Sequence, residues 1–340
     1  MMDKKVRIGV IGTGRIGKLH TENLVYAVPD ATVASVADVM MTPEMEKWAK
    51  DLGIENVYND PNKIINDKSI DAVFICSSTN THADLMIQCA KAGKHIFCEK
   101  PIDYNLKKIH AALDAVKEAG VKLQIGFVRR FDHNHKKVRD TVASGKLGMP
   151  HIIKVTSRDP APPPFEYAKV SGGLFMDMMI HDFDMVRYLA GSEVTEVSTY
   201  GKVMMDEKLN EIGDVDVAIV MLKFVNGSIG VIDNTRKSNF GYDQRTEVQC
   251  ENGCVQVAND YPNTSMISTA DGVFLEKPLW FFLERYNNAF IAEAKEFTDA
   301  VKNDKTPAVG GIDGLMPVII AMAAKMSLDQ GRSVKLSEIE

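Results

Sequence analysis

The run Val6-Arg7-Ile8-Gly9-Val10-Ile11 leads without a break into Gly12-Thr13-Gly14-Arg15-Ile16-Gly17. A second apolar run, residues 32–37, ends on Asp38. A strand, a glycine-rich turn, a helix start and an acid at the tip of the next strand together describe a dinucleotide site. Gly12 allows the tight turn, Gly14 lets the backbone approach a pyrophosphate, and Gly17 lets the helix pack closely on the sheet. The helix N-terminus then offers free N–H groups and a partial positive charge to the phosphates.

Asp38 also bears on which nucleotide binds. A carboxylate there accepts hydrogen bonds from both hydroxyls of an adenosine ribose, whereas a 2′-phosphate meets it as a like charge. Val39-Met40-Met41 follow and supply no arginine for such a phosphate. NAD is therefore expected over NADP.

The first third of the chain alternates strand and helix. Strand patterns lie near residues 5–11, 32–38, 71–76, 95–99 and 122–128, with helix patterns over 16–27, 43–52, 80–93 and 105–119. Continuous apolar runs such as Ala72-Val73-Phe74-Ile75-Cys76 belong to a parallel sheet covered by helices on both faces. This predicts a doubly wound α/β domain of the Rossmann type over residues 1–127. The pattern then changes. A helix over 132–144 and a strand-like 151–157 precede Pro160-Ala161-Pro162-Pro163-Pro164, which is excluded from a helix interior. A short helix near 177–190 leads to alternating strands with hairpin turns at Asn226-Gly227 and Asn252-Gly253, and helices near 285–302 and 312–330 follow. Residues 128–340 thus read as an α+β domain with a largely antiparallel sheet. One face of such a sheet needs cover from helices or another subunit.

Composition excludes several function classes. With 45% hydrophobic and 25% charged residues and a net charge of −6, the chain has no basic stripe for nucleic acid. No apolar stretch is read as long enough for a membrane span. A strand begins within a few residues of the first methionine, which leaves no room for a signal peptide. The cytoplasm is the expected compartment, and five cysteines fit it. Cys76, Cys89 and Cys98 fall in apolar patterns as small hydrophobes. Cys250 and Cys254 flank a turn with no second Cys or His pair nearby, so no metal site is expected.

Two segments carry candidate chemistry. Cys98-Glu99-Lys100-Pro101 ends a strand, and ligands of open α/β sheets sit outside the carboxyl ends of the strands. Lys100 is thereby directed toward the nicotinamide, unless it is an ordinary surface lysine. In Gly172-Gly173-Leu174-Phe175-Met176-Asp177-Met178-Met179-Ile180-His181-Asp182-Phe183-Asp184, Asp177 and His181 stand four apart and share a face if the segment is helical. A carboxylate beside an imidazole raises its basicity and fixes its orientation. The histidine is then prepared to take a hydroxyl proton near neutral pH. The plainer alternative is a helix-start acid bonded to a buried histidine. His82 either lines the cofactor site or caps the helix it opens. His20, His95, His110, His133, His135 and His151 stand in no distinguishing pattern.

GTGRIG at 12–17, Ser77-Ser78-Thr79-Asn80-Thr81-His82, CEKP at 98–101 and the 172–184 segment resemble the glucose–fructose oxidoreductase/inositol dehydrogenase (Gfo/Idh/MocA) family. The likeness runs in order over nearly the whole chain. Gly126-Phe127-Val128-Arg129-Arg130-Phe131-Asp132, Ser157-Arg158-Asp159-Pro160 and Gly241-Tyr242-Asp243-Gln244-Arg245 look like the inositol 2-dehydrogenases. The resemblance implies a Rossmann domain, an antiparallel-sheet domain that often mediates tetramers, and a catalytic set on Lys100, Asp177 and His181. It implies cofactor contacts at Gly12, Thr13, Gly14, Arg15, Ile16, Gly17, Asp38, Ser77, Ser78, Thr79, Asn80, His82, Glu99 and Lys100. Contacts to a polyol are implied at Lys100, Arg130, Asp159, Asp177, His181 and Tyr242. The expected reaction is NAD-dependent oxidation of a secondary hydroxyl of a cyclic polyol, foremost myo-inositol to 2-keto-myo-inositol (scyllo-inosose), in a homotetramer. The alternatives are scyllo-inositol or an aldose in the same chemistry, a sugar oxidoreductase that keeps its cofactor bound, and a non-catalytic NAD-binding sensor.

Overall fold

The structure is a computed structural model and describes residues 4–339. Its contacts divide the chain into two units. One takes the chain up to Val128 together with Asn288–Leu315, and the other takes Arg129–Asn287 and the chain from Met316 onward. A sequence division after residue 127 leaves 288–315 in the second unit; the structure returns that segment to the first. The reason is packing: Ala294 and Phe297 join the apolar core around Val10, Phe74 and Phe97.

The first unit alternates β1 (Val6–Ile11), α1 (Arg15–Ala27), β2 (Ala31–Ala37), α2 (Pro43–Asp51), β3 (Asn56–Tyr58), α3 (Asn62–Ile65), β4 (Ala72–Ile75), α4 (His82–Lys91), β5 (His95–Glu99), α5 (Leu106–Ala119) and β6 (Leu123–Gly126). The strands form one parallel sheet in the order β3-β2-β1-β4-β5-β6. Winding reverses between β1 and β4, which puts a ligand crevice at their carboxyl ends. The apolar runs of β1 and β4 are buried throughout their centres, as the expected two-sided cover requires. Helix ends follow the sequence signals: Asn105 accepts the N–H groups of Lys107 and Lys108 at the start of α5, and Gly120 closes it at φ +65°. Edge strand β3 escaped the sequence reading because it is three residues long and half-exposed.

The second unit opens with α6 (His133–Ala143), β7 (Pro150–Arg158) and α7 (Phe165–Ser171). A π-helical turn, Leu174–Met178, and α8 (Ile180–Ala190) follow. Next come β8 (Val194–Lys202), β9 (Val217–Phe224), β10 (Ile229–Thr235), β11 (Asp243–Cys250), β12 (Gly253–Val257), β13 (Met266–Thr269), β14 (Gly272–Leu275) and α9 (Phe282–Arg285). The chain passes through α10 (Asn287–Lys302) and α11 (Gly311–Gln330) and ends on β15 (Val334–Lys335). The large sheet has the order β12-β11-β7-β10-β9-β8-β15 and is antiparallel except for the β7–β10 pair. Asn226-Gly227 turns β9 into β10, with Gly227 at φ +87°.

Two expectations need correction. Helix α11 is long and apolar enough to cross a membrane by length and composition, with a mean hydropathy of 1.4 over its most apolar stretch. Burial explains that apolarity: Val318, Ile320, Ala321, Ala323 and Ala324 are all fully buried. The segment expected as one helix over 177–190 is instead a π-helical turn followed by α8. Gly172 and Gly173, at φ +83° and +75°, set up that turn, and Asp214 caps it by accepting the Leu174 N–H at 2.9 Å. Cys76, Cys89, Cys98 and Cys250 are buried, and burial pushes the Cys89 thiol up to about 12.

Candidate active site

The nucleotide cradle lies at the carboxyl ends of β1 and β2. A Cβ on Gly12 would sit 2.5 Å from the Ser77 nitrogen, and one on Gly17 would overlap the Gly12 carbonyl oxygen. Both positions therefore exclude any side chain. Gly14 is the N-cap of α1, where no side chain caps the helix and a Cβ would meet no described atom within 4 Å. An uncapped helix start behind bare backbone is what a pyrophosphate needs. Asp38 closes the cradle. One of its oxygens accepts the Thr13 N–H at 2.7 Å and the Thr13 hydroxyl at 3.1 Å, and the other accepts the Met40 N–H at 2.9 Å. Val39 and Met40 beside it are largely exposed. These residues fit a dinucleotide with free ribose hydroxyls. Arg15 and Ile16 open α1 beside the same turn.

The loops after β4 and β5 complete this edge. The Ser77 and Thr81 hydroxyls are bonded at 2.7 Å, and Ser78, Thr79 and Asn80 form the turn between. His82 is buried, its ring nitrogens 2.8 Å from the Pro101 carbonyl and 2.9 Å from the Ser77 carbonyl. It thus ties the two loops together, a placement that favours support of the cradle over contact with a ligand. Burial lowers its basicity. Glu99, just before the half-buried Lys100, lies 2.7 Å from Nε2 of the buried His20 on α1. Sequence reasoning passed over His20. The ring packs edge-on against Phe74, Phe97 and Phe290, so it reads as core until its partner is known. Near Glu99, burial holds the Glu293 carboxyl well above the usual range, and the neighbouring carboxylate adds to the effect.

In the second unit a polar cluster forms where the ends of β7 and β10, the π-helical turn and α8 meet. Asp177, on the turn, accepts the Tyr167 hydroxyl at 2.9 Å on one oxygen and Arg236 Nη1 at 3.0 Å on the other. The same Arg236 nitrogen lies 3.7 Å from Asp159. Burial pushes the Asp159 carboxyl up to about 6, with Arg236 pulling it down and Asp177 pushing it up. His181, one turn on, is half-buried at the start of α8. The buried Arg129 donates to Asp182, the residue after His181, to Ser157 at 3.3 Å and to the Tyr242 hydroxyl at 3.3 Å. Asp182 also accepts from Asn234 at 2.9 Å, which pins α8 to β7 and β10. Burial keeps the Tyr242 phenol well above its ordinary value.

Arg130 does something else. Its guanidinium grips Asp184 through Nε at 2.8 Å and stacks over Tyr188 at 5.0 Å. Its neighbour Arg129 is the arginine that reaches Tyr242. The residues the sequence reading missed here are Arg129, Asp182 and Arg236. A usable signal existed for Arg236: Gly230, Ile232, Asn234 and Arg236 alternate inward along β10 and beyond it, so polar residues occupy core register. Asp132, His133 and Asp260 come close enough to share a cation, but Arg285 already sits 2.6 Å from Asp132 and 3.0 Å from Asp260.

Comparison with known proteins agrees with this geometry. Residues 6–127 match the oxidoreductase family with an NAD-binding Rossmann fold, and residues 135–256 match the GFO/IDH/MocA C-terminal domain. The chain is 48% identical to a myo-inositol 2-dehydrogenase of Thermotoga maritima over 98% of its own length and 99% of the relative's. A crystal structure of a probable dehydrogenase from Thermotoga maritima superposes with a TM-score of 0.96 at 47% identity, covering 98% of this chain and 100% of that one. A scyllo-inositol dehydrogenase from Lactobacillus casei, solved with NAD(H) and scyllo-inositol, gives a TM-score of 0.91 at 28% identity over 98% and 100%. The cradle built on Gly12, Gly17 and Asp38 lies within the residues that match the NAD-binding Rossmann model, and the chain belongs to the GFO/IDH/MocA family of NAD-binding oxidoreductases.

Proposed function

We propose that the protein oxidises a secondary hydroxyl of a cyclic polyol, with myo-inositol, giving 2-keto-myo-inositol, as the first choice. The observation that carries this reading is the charge balance of the second unit's cluster. Arg129, Arg130 and Arg236 are each matched to an aspartate: Asp182, Asp184 and Asp177. A sugar phosphate or sugar acid would have to compete with an aspartate for each of these three arginines. An uncharged polyol would not, and Asp159 and Asp177 suit hydroxyl donors. The relatives' activities on inositols support the same class.

In this reading NAD, when bound, supplies the hydride acceptor, held by residues 12–17, Asp38 and the 77–80 turn. His181 takes the hydroxyl proton as the carbinol becomes a ketone, and Asp177 stabilises the imidazolium. The Lys100 ammonium stabilises negative charge developing on the reacting oxygen. The test is NADH absorbance at alkaline pH with myo-inositol, scyllo-inositol, glucose and xylose in parallel. Turnover highest with myo-inositol is expected. A preference for scyllo-inositol would move the assignment within the inositols, a preference for an aldose would move it to the sugar dehydrogenases, and no turnover with any of them would favour an NAD-binding sensor.

The same proposal includes a homotetramer in the cytoplasm. The support for an oligomer is the outer face of the large sheet, where Ile152, Tyr200, Ile219, Met221 and Ile229 are all exposed.

A further inference from the structure

Arg236 follows β10 and donates its backbone N–H to the Asp216 carbonyl at 2.9 Å, which fixes its direction. The side chain turns inward and only 4% of the residue is exposed. One nitrogen, Nη1, meets Asp177 at 3.0 Å and Asp159 at 3.7 Å. The other charges around Asp159 are Arg129, Asp177 and Asp182, and Arg129 is already in contact with Asp182. Tyr167 adds a neutral hydroxyl to Asp177. Arg236 is therefore a countercharge that both aspartates share through one nitrogen. Each of the two carboxylates disfavours ionisation of the other, and the shared guanidinium opposes that effect at Asp159.

We propose that Arg236 is a positioning residue for the reaction: its single guanidinium, buried between Asp177 and Asp159, keeps both carboxylates ionised together and fixes Asp177 for its work beside His181. The catalytic half of this statement rests on the reading of His181 given above. The ion-pair half stands without it. Arg236 touches neither the reacting carbon nor the cofactor in this scheme and acts through the two acids.

The test combines proton linkage with kinetics in Arg236→Met and Arg236→Lys. Without the guanidinium, one carboxylate should bind a proton in the folded protein up to higher pH. Melting temperature in Arg236→Met should then fall more steeply than in the wild type between about pH 5 and about pH 8. Adding Asp159→Asn should remove the extra slope. In kinetics, the acid limb of kcat/KM should move up by about one pH unit and kcat should drop about tenfold or more, with NAD affinity unchanged. Arg236→Lys, which keeps the charge but not the fork, should recover part of both effects. Parallel melting curves and an unmoved acid limb in Arg236→Met and Arg236→Lys would overturn the proposal. A steeper slope together with full turnover in His181→Ala would uphold the ion-pair half and overturn the catalytic half, because His181 would then not be the proton acceptor.

Discussion

Asp38 is oriented by the protein itself, through the Thr13 N–H and hydroxyl on one oxygen and the Met40 N–H on the other. The oxygen that faces Met40 accepts only that one N–H and keeps a lone pair for a ribose hydroxyl, while the other already takes two donors from Thr13. Hydrogen bonds to a charged group are worth about 1.5–3 kcal/mol, so Asp38→Ala should weaken NAD binding by about tenfold to a hundredfold, read by fluorescence titration. Affinity equal to the wild type would show that the acid serves only the loop. His181→Ala should lower kcat by about 10²–10⁴-fold while NAD titrates as before. Asp159 gives a third residue-scale outcome. Its carboxyl rises from 3.8 to about 6 through burial. A raised acid binds its proton more tightly in the folded chain than in the unfolded one. The stability it contributes is complete below about pH 4 and is lost as pH rises through about 6, on the order of 3 kcal/mol at 1.36 kcal/mol per unit. Asp159→Asn should therefore melt higher than the wild type at about pH 8 and turn over polyol less well, the trade expected of a strained functional acid. A variant that melts no higher would show the carboxylate to be well solvated.

At the scale of elements, the π-helical turn offers the sharpest test. Gly173 sits at φ +75°, and a Cβ there would stand 2.6 Å from Asp214 Oδ1, the oxygen that caps Leu174. Gly173→Ala should cost more than the ordinary ~1 kcal/mol of a left-handed alanine. Asp214→Ala removes the clash and also the cap, so the double variant should be less destabilised than the sum of the singles. Strict additivity in denaturant melts would mean that Asp214 moves aside at no cost. This turn also marks the limit of what the sequence reveals. The Gly12–Gly17 turn, Asp38 and the alternation through β6 were legible because local chemistry dictates them: no other residues make that backbone. The Asn226-Gly227 hairpin was legible for the same reason. The π-helical turn was not, since the two glycines that set it up are completed by a capping carboxylate forty residues away. Arg236 was hidden likewise, because its partners come from β7 and the turn. Arg130 drew attention by its place in a motif, while packing sets Arg129, not Arg130, beside Tyr242. His20 looked like core because it is core, and only Glu99 makes it more.

For the whole molecule, the outer face of the second unit's sheet poses the remaining question. The strand register puts Ile152 beside Ile229, Val231 beside Met221, and Ile219 between Asp233 and Tyr200. The residues on the inner side of the same strands, Ala218, Val220, Leu222 and Ile232, are buried within their own unit. A monomer would leave that outer row to water, and contiguous apolar surface of this kind marks an interaction face. The β13–β14 hairpin adds Met266, Ile267, Val273, Phe274 and Leu275, all exposed. A second copy of the chain presenting the same self-complementary row would bury it about a twofold axis. Lys154, Lys223, Asp233 and Glu196 frame the row with charges of both signs, which suits pairing with a copy of itself. Ile219→Glu combined with Met221→Glu would place four buried like charges at each twofold contact. Light scattering after gel filtration should show the wild type as a tetramer and the double variant as a smaller species, with NAD still bound because the cradle belongs to the other unit. Retention of the wild-type mass by the double variant would move the interface to another surface, with the β13–β14 hairpin the next segment to truncate.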